Sequence, residues 1–407
     1  MLTGFLLCSQ PGFSQEAAFT SAFKFTGNFG HINLSNNPYK LITACFFEKT
    51  LSGHIIFGYT KIGHKWMVSR LDPKTNVIKE LALDFEKLKD HISPNAFDDL
   101  NYYGISRIAE GEHFMVINTG NSLLVFGKEA SAYTFQKEIM VNDSITFNQI
   151  FPLTDSTLIL LDYKANFTET NDIKAYCLNM NTSTVKLVFR EKMGSNVACY
   201  DRTNTRYYDS NKRFFLITDN LDYTVHLFDC TSNKLLAYSK ALNISEESRK
   251  VLNPKALRAH THDSVMKELN LIPRIVNTQF LNDSEVVVNY AIHKTKEKDG
   301  LKIKSSVVDM LVIRNNTLVL KKTLDDTFVY EKTNFESTGK QDQKSFNPYL
   351  RGSLPVFLFL NNQLIQFNVD AAIPDSNMSY KKYIQKAKGS ILNLKSKFIY
   401  STYEYLH

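Results

Sequence analysis

The chain has 407 residues, with 43% hydrophobic and 22% charged side chains, which excludes wholesale disorder, collagen and coiled coil. Forty-eight Lys plus Arg against 41 Asp plus Glu give +7. The excess is spread along the chain rather than gathered in one strip, so nucleic acid is not an expected partner. The 29 Phe and 20 Tyr against 16 Gly and one Trp, with many Asn, Thr, Ser and Val, favour strands joined by polar turns.

Residues 1–14 form an apolar run from Leu2 to Cys8 followed by Pro11, Gly12 and Ser14, the outline of a signal peptide truncated at its basic end. Cleavage after Ser14 would leave residues 15–407 as one mature domain beginning at Gln15. A lipidated Cys8 is the lesser reading, because Leu7 stands where a small residue is usual. Beyond this run no stretch approaches about 18 apolar residues, so no integral membrane segment is expected.

From Trp66 the chain repeats a strand, a polar turn and a strand. The hairpins are Trp66–Leu81, Ser122–Ile139, Lys174–Phe189, Thr224–Tyr238, Val308–Lys322 and Pro355–Val369. Their turns are rich in Asn, Asp, Gly and Ser, which tolerate the left-handed conformations that tight connections need. Before most of them lies a second strand pair, at Ile105–Gly120, Phe147–Tyr163, Thr205–Asn220 and Val276–Tyr290. The later strand of each pair is nearly all apolar, as a strand covered on both faces requires, so Phe215 to Thr218 and Val286 to Val288 should be buried. Four strands roughly every 45 to 55 residues predict an all-β fold, a β-propeller of six blades, with seven left open and a row of separate sandwiches as runner-up.

Phe23–Leu34 reads as an N-terminal strand completing the last blade, and Ser396–Leu406 as the final strand. Between the fourth and fifth hairpins, residues 244–273 carry Ser245, Pro254 and spaced Leu and Val, which predicts a short helical insertion. The lysine-rich stretch His293–Lys304 lacks strand alternation and reads as a loop overhanging the disc, on the same face as the insertion.

With this repeat and this N-terminus, the chain resembles the secreted six-bladed β-propeller proteins of Bacteroidota, in the broad TolB-like or NHL-like group. It lacks a WD series, a kelch double glycine and an Asp-box series. The resemblance implies a periplasmic, surface or secreted location and the binding of a carbohydrate, peptide or protein partner. That partner is expected on the loop face, which carries the insertion and the lysine-rich stretch, and the chain is expected to be a monomer. The other reading is a glycan- or peptide-directed hydrolase or lyase acting in the central channel, because propellers host both kinds of function.

The sequence points to no catalytic set and no cofactor: a Gly-x-Ser-x-Gly elbow, a Walker loop and a dinucleotide fingerprint are all missing. The candidate metal ligands are His260, His262 and Asp263, a His-x-His pair with a carboxylate beside it; the simpler reading is a helix start capped by Thr261 or Asp263. His54, His64, His113 and His226 fall in or beside strands and would matter only if they converged on the axis. The acidic turns Asp283-Ser284-Glu285 and Asp325-Asp326 read as turn chemistry rather than calcium loops. After removal of Cys8, four cysteines remain, of which Cys177 and Cys199 are nearest in sequence; spacing alone does not fix their pairing.

Overall fold

The computed structural model describes residues 23–34, 46–61, 65–81, 83, 86–102, 105, 107–120, 122–129, 132–142, 145, 147–162, 172–192, 208–219, 223–242, 246, 273–298, 301–324, 356–371 and 396–406. These residues form six four-stranded antiparallel sheets. Blade 1 is β2 (Phe46–Lys49), β3 (Ile55–Lys61), β4 (Lys65–Asp72) and β5 (Val77–Leu81). Blade 2 is β6 (Arg107–Glu110), β7 (Phe114–Asn118), β8 (Ser122–Glu129) and β9 (Ala132–Met140). Blade 3 is β10 (Gln149–Thr154), β11 (Thr157–Asp162), β12 (Asp172–Asn179) and β13 (Thr184–Lys192). Blade 4 is β14 (Tyr208–Ser210), β15 (Phe214–Asp219), β16 (Thr224–Asp229) and β17 (Lys234–Ser239). Blade 5 is β18 (Arg274–Phe280), β19 (Glu285–Lys298), β20 (Leu301–Arg314) and β21 (Thr317–Leu324).

The sixth blade departs from that order. It runs β22 (Val356–Leu360), β23 (Gln363–Ala371), β24 (Ser396–Tyr405), and its outermost strand is β1 (Phe23–Leu34) from the start of the chain. Strand β1 pairs along β24 from Phe23↔Tyr405 to Leu34↔Ser396, closing the ring as its sequence suggests. The hairpin in Pro355–Val369 is therefore the inner pair of its blade, whereas the other five hairpins are outer pairs. With its outer strand supplied from the N-terminus, the C-terminal segment needs only three.

The first strands of neighbouring blades pack side by side, β2 on β6, β6 on β10, β10 on β14, β14 on β18 and β18 on β22, and so surround the axis. Outside this ring the apolar layers lie between blades. Strands β7 and β15 are buried at every residue because each is covered by a blade on either side. Phe215 to Thr218 and Val286 to Val288 are all at most 2% exposed. Blades diverge outward, and aromatic side chains fill the widening gap: Phe189 of blade 3 meets Phe215 and Phe228 of blade 4 with ring centroids 5.8 and 6.2 Å apart.

In a blade of this connectivity, the turns after the first and third strands lie at one end and all other connections at the opposite end. The first are short. Asn315 and Asn316, and Asn361 and Asn362, hold positive φ in pairs, the two-residue turn the Asn-Asn sequences suggest. The long connections leave from the other end, the loop face, which includes the end of β17, the start of β18 and the β19–β20 hairpin. That hairpin corrects the reading of His293–Lys304 as a loop, since Thr295↔Lys304 through Lys298↔Leu301 continue the ladder of the blade. Backbone pairing extends a hairpin without any need for an alternating apolar face. The helical insertion itself lies outside the described residues, apart from Glu246 and Pro273.

A helix the sequence reading missed, α1 (Pro94–Tyr102), joins blades 1 and 2 on the loop face. Ser93 caps it, its hydroxyl accepting from the Ala96 N–H, and the Glu138 carboxylate of β9 receives the Ser93 N–H and hydroxyl and the Ser122 hydroxyl. Ala96 and Leu100 bury its inner side in the apolar layer shared by blades 1 and 2. Gly120 holds φ +98°, and a Cβ there would meet Asp99 of the helix at 2.9 Å. Among the described residues no helix is long and apolar enough to cross a membrane.

Candidate functional site

The axis is polar. Lys49 ends β2, and its ammonium donates to the Asp209 carboxylate of β14, to the Phe280 carbonyl of β18 at 3.3 Å and to the Phe359 carbonyl of β22 at 3.1 Å. One side chain from blade 1 thus ties together blades 4, 5 and 6. Asp209 is 1% exposed and also accepts the Phe280 N–H at 2.8 Å. Beside it, Gln279 accepts the Phe359 N–H at 3.2 Å and donates to Asn277. Blades 2 and 3 are joined by Arg107, which donates to Gln149 at 2.5 Å. A buried ion pair persists only with such additional hydrogen bonds, because desolvation offsets its Coulomb attraction.

Above Lys49 on the tight-turn face opens a pocket of ≈ 280 Å³. Its wall comes from turns of blades 1, 4, 5 and 6, with Ser52, Asn211, Asn282 and Asn361 supplying hydroxyl and amide groups and Pro152 of blade 3 an apolar edge. Local hydrogen bonds make these turns rigid. The Asn211 side chain accepts the N–H groups of Arg213 and Phe214, and that of Asn282 accepts those of Ser284 and Glu285. Neighbouring turns are also stitched together, Asn211 donating to the Asp283 carbonyl at 3.3 Å and Asn282 to the Asn362 side chain at 2.8 Å. Charges in and around the pocket offset one another: Lys49 faces Asp209, Lys212 stands 3.6 Å from Glu112 on the rim, and Lys74 and Asp283 complete the lining.

On the same face Glu112, His113 and Asp155 bring three ligand-type atoms within 4.8 Å of one another. All three are exposed, and the Asp155 carboxylate already accepts the Glu112 N–H at 2.9 Å. Their donor set is suited to a divalent cation. His54 bonds Ser52 at 2.8 Å, and burial, seconded by Arg70, lowers its pKa. His226 sits in mid-strand, where burial lowers its pKa against the opposing effect of Glu191. His54, His113 and His226 therefore occupy three separate places, two on the tight-turn face and one within blade 4. His64, His260, His262, Asp263 and Asp325-Asp326 lie outside the described residues.

The turn Asp283-Ser284-Glu285 is structural, as read: Asn282 caps it and Glu285 pairs with Lys321. Other buried acids are likewise structural. Glu110 receives Arg70, Lys128 and Tyr133 at 2.7 to 2.9 Å, and Asp309 receives Lys240, Tyr223 and Thr323 between blades 4 and 5. Burial followed by the nearby carboxylate pushes the hydroxyls of Tyr133 and Tyr223 far above the usual tyrosine value.

The axial residues Lys49, Asp209 and Gln279 escaped the sequence reading. Their first strands, FFEK, YDS and RIVNTQF, each carry several polar residues, and alternation does not say which of them meets the axis.

The sequence matches no protein-family profile, and no curated protein is similar to it in sequence. Among solved structures it is similar in fold to a Bacteroides fragilis protein provisionally described as exported, at 9% identity and TM-score 0.45, covering 95% of this chain and 96% of that one. It is also similar to an oligogalacturonate lyase solved with manganese, at 8% identity and TM-score 0.42, over 93% and 98% of the two chains. A third likeness is to a luciferin-regenerating enzyme, at 10% identity and TM-score 0.38, over 92% and 95%. Likenesses at this level transfer no function; the six-bladed propeller rests on the chain's own sheets.

Proposed function

We propose that the chain is an exported six-bladed β-propeller of the TolB-like or NHL-like kind, acting as a binding module, and that its ligand is a small uncharged polar molecule, a saccharide or short peptide. The observation that supports this reading is the rigid ≈ 280 Å³ pocket lined by amides and hydroxyls, with its charges offset by opposite charges nearby. Such a lining suits a ligand that is rich in hydrogen-bonding groups and uncharged. The sequence reading put the ligand on the loop face; the described pocket is on the opposite one. Export is supported by the apolar run Leu2 to Cys8 and the small residues after it.

Hydrolysis or lyase chemistry would need an acid and a base poised for a substrate. Asp209, the acid that the lining residue Lys49 engages, is instead held by that ammonium and the Phe280 N–H. Binding is accordingly preferred over catalysis.

A thermal-shift panel on the chain from Gln15 onward tests the reading. A ligand at one hundred times its Kd stabilises the native state by roughly 2.7 kcal/mol. A saccharide or peptide should raise the melting temperature, and Asn361→Gly should abolish the shift, since glycine keeps the φ of +50° while removing the amide. A panel with no saccharide or peptide response would contradict it.

A further inference from the structure

Cys177 and Cys230 stand at the ends of the third strands of neighbouring blades 3 and 4. Cys177 stands two residues before the end of β12, and Cys230 directly follows the end of β16. Both strands run towards the tight-turn face. Phe189, which pairs with Ala175, meets Phe228, and Glu191, which pairs with Ile173, acts on His226, so Cys177 and Cys230, each two residues beyond Ala175 and Phe228, lie at about the same height in the disc.

Alternation along each strand sets them facing one another. On β12, Ile173 and Ala175 share the side of Cys177 and belong to the apolar layer shared with blade 4, while Tyr176 and Leu178 belong to the layer shared with blade 2. On β16, His226 and Phe228 share the side of Cys230 and face blade 3: the Phe228 ring lies 6.2 Å from Phe189, and Glu191 of β13 acts on His226. Both cysteines pack against the same apolar layer. Sheets packed face to face are about 10 Å apart, a gap that inter-sheet disulfides of β-sandwiches bridge. Both are free thiols and only half-buried, within reach of a small reagent.

We propose that Cys177 and Cys230 form a disulfide pair that closes across the interface of blades 3 and 4 in an oxidising compartment. The Cys177 sulfur adds to burial in pushing the Cys230 thiol up to about 12, a further sign of their proximity. Closure proceeds by exchange with a small disulfide. One thiol loses its proton and its sulfur attacks the reagent, releasing one reagent thiolate and leaving a mixed disulfide. The second cysteine then displaces the other reagent thiolate. The two cysteines are oxidised by two electrons, the reagent disulfide is reduced to two thiols, and the two protons end on those thiols.

The test uses reduced full chain from Gln15 onward, made in a reducing cytosol so that the result is independent of export and of the pocket's ligand. After incubation with oxidised glutathione, the protein is unfolded in acid, alkylated, digested without reductant and mapped by mass spectrometry. The expected product is one peptide pair joining Cys177 to Cys230, with a melting temperature raised by several degrees. It should vanish in Cys230→Ser and persist in Cys199→Ser. Pairing of Cys177 with Cys199, two separate glutathione adducts, or two thiols still open to alkylation would each overturn the proposal. Missing N-terminal processing in the native host, with the cross-link intact, would count against export alone.

Discussion

Lys49 of blade 1 crosses the axis of the propeller and holds the buried carboxylate of Asp209 in blade 4, 160 residues away in sequence. The Lys49 side chain is 9% exposed and that of Asp209 2%, so each leaves the other as an uncompensated buried charge if removed. Lys49→Met and Asp209→Asn should each destabilise the fold by roughly 3–5 kcal/mol, whereas Lys49→Met with Asp209→Leu should recover most of that loss. Urea denaturation of the three variants decides it. Two small, additive single losses would show that the pair does not hold the axis.

Ring closure gives a second expectation. Strand β1 pairs with β24 alone, and Thr26 of β1 is bonded to the Thr402 hydroxyl and carbonyl. Deleting residues 1–34 would strip blade 6 of its outer strand and leave the β24 edge open to other chains. That protein should self-associate in light-scattering chromatography and lose its sharp calorimetric transition, while deletion of residues 1–14 should change neither. A monomeric, cooperatively folding 1–34 deletion would show that β1 is dispensable for closure.

The pH dependence follows from His226. Burial holds its pKa below 6.5 in the folded protein, so below that pH the unfolded chain takes up a proton the folded chain resists. The stabilisation is whole above about pH 6.5 and declines as the pH falls through the ordinary histidine value towards the lowered one. His226→Gln should flatten this part of a stability profile measured by denaturation from pH 8 to 5. An unchanged slope would show that His226 does not contribute to it. Asp229 adds a separate acid limb: Arg213 beside it holds its carboxyl well below the usual value of 3.8, so its contribution is lost only as the pH falls below the ordinary carboxylate range.

Much of the fold was legible because propeller blades repeat local patterns. The runs at Phe215 and Val286 announced strands covered on both faces, the Asn-Asn pairs announced tight turns, and Phe23–Leu34 announced the closing strand. Helix α1 was missed because its start, Ser93-Pro94, follows a stretch with no apolar period; its cap acid, Glu138, is 45 residues away. The inner pair of blade 1, β2 and β3, was missed too, β2 being only four residues long. The candidate site was not legible. Ser52, Asn211, Asn282 and Asn361 look like ordinary turn residues, and only the ring brings their turns around one opening.

The central claim is that the tight-turn pocket binds the ligand, and calorimetric titration of the strongest saccharide or peptide from the thermal-shift panel tests it most directly. Three proteins are compared: the wild type, Asn361→Gly in the pocket, and Lys296→Glu with Lys302→Glu in the β19–β20 hairpin of the loop face. The account predicts at least a tenfold weaker Kd for Asn361→Gly, about 1.4 kcal/mol, and an unchanged Kd for the hairpin variant. Full affinity in Asn361→Gly with loss in the hairpin variant would contradict it and place the ligand on the loop face.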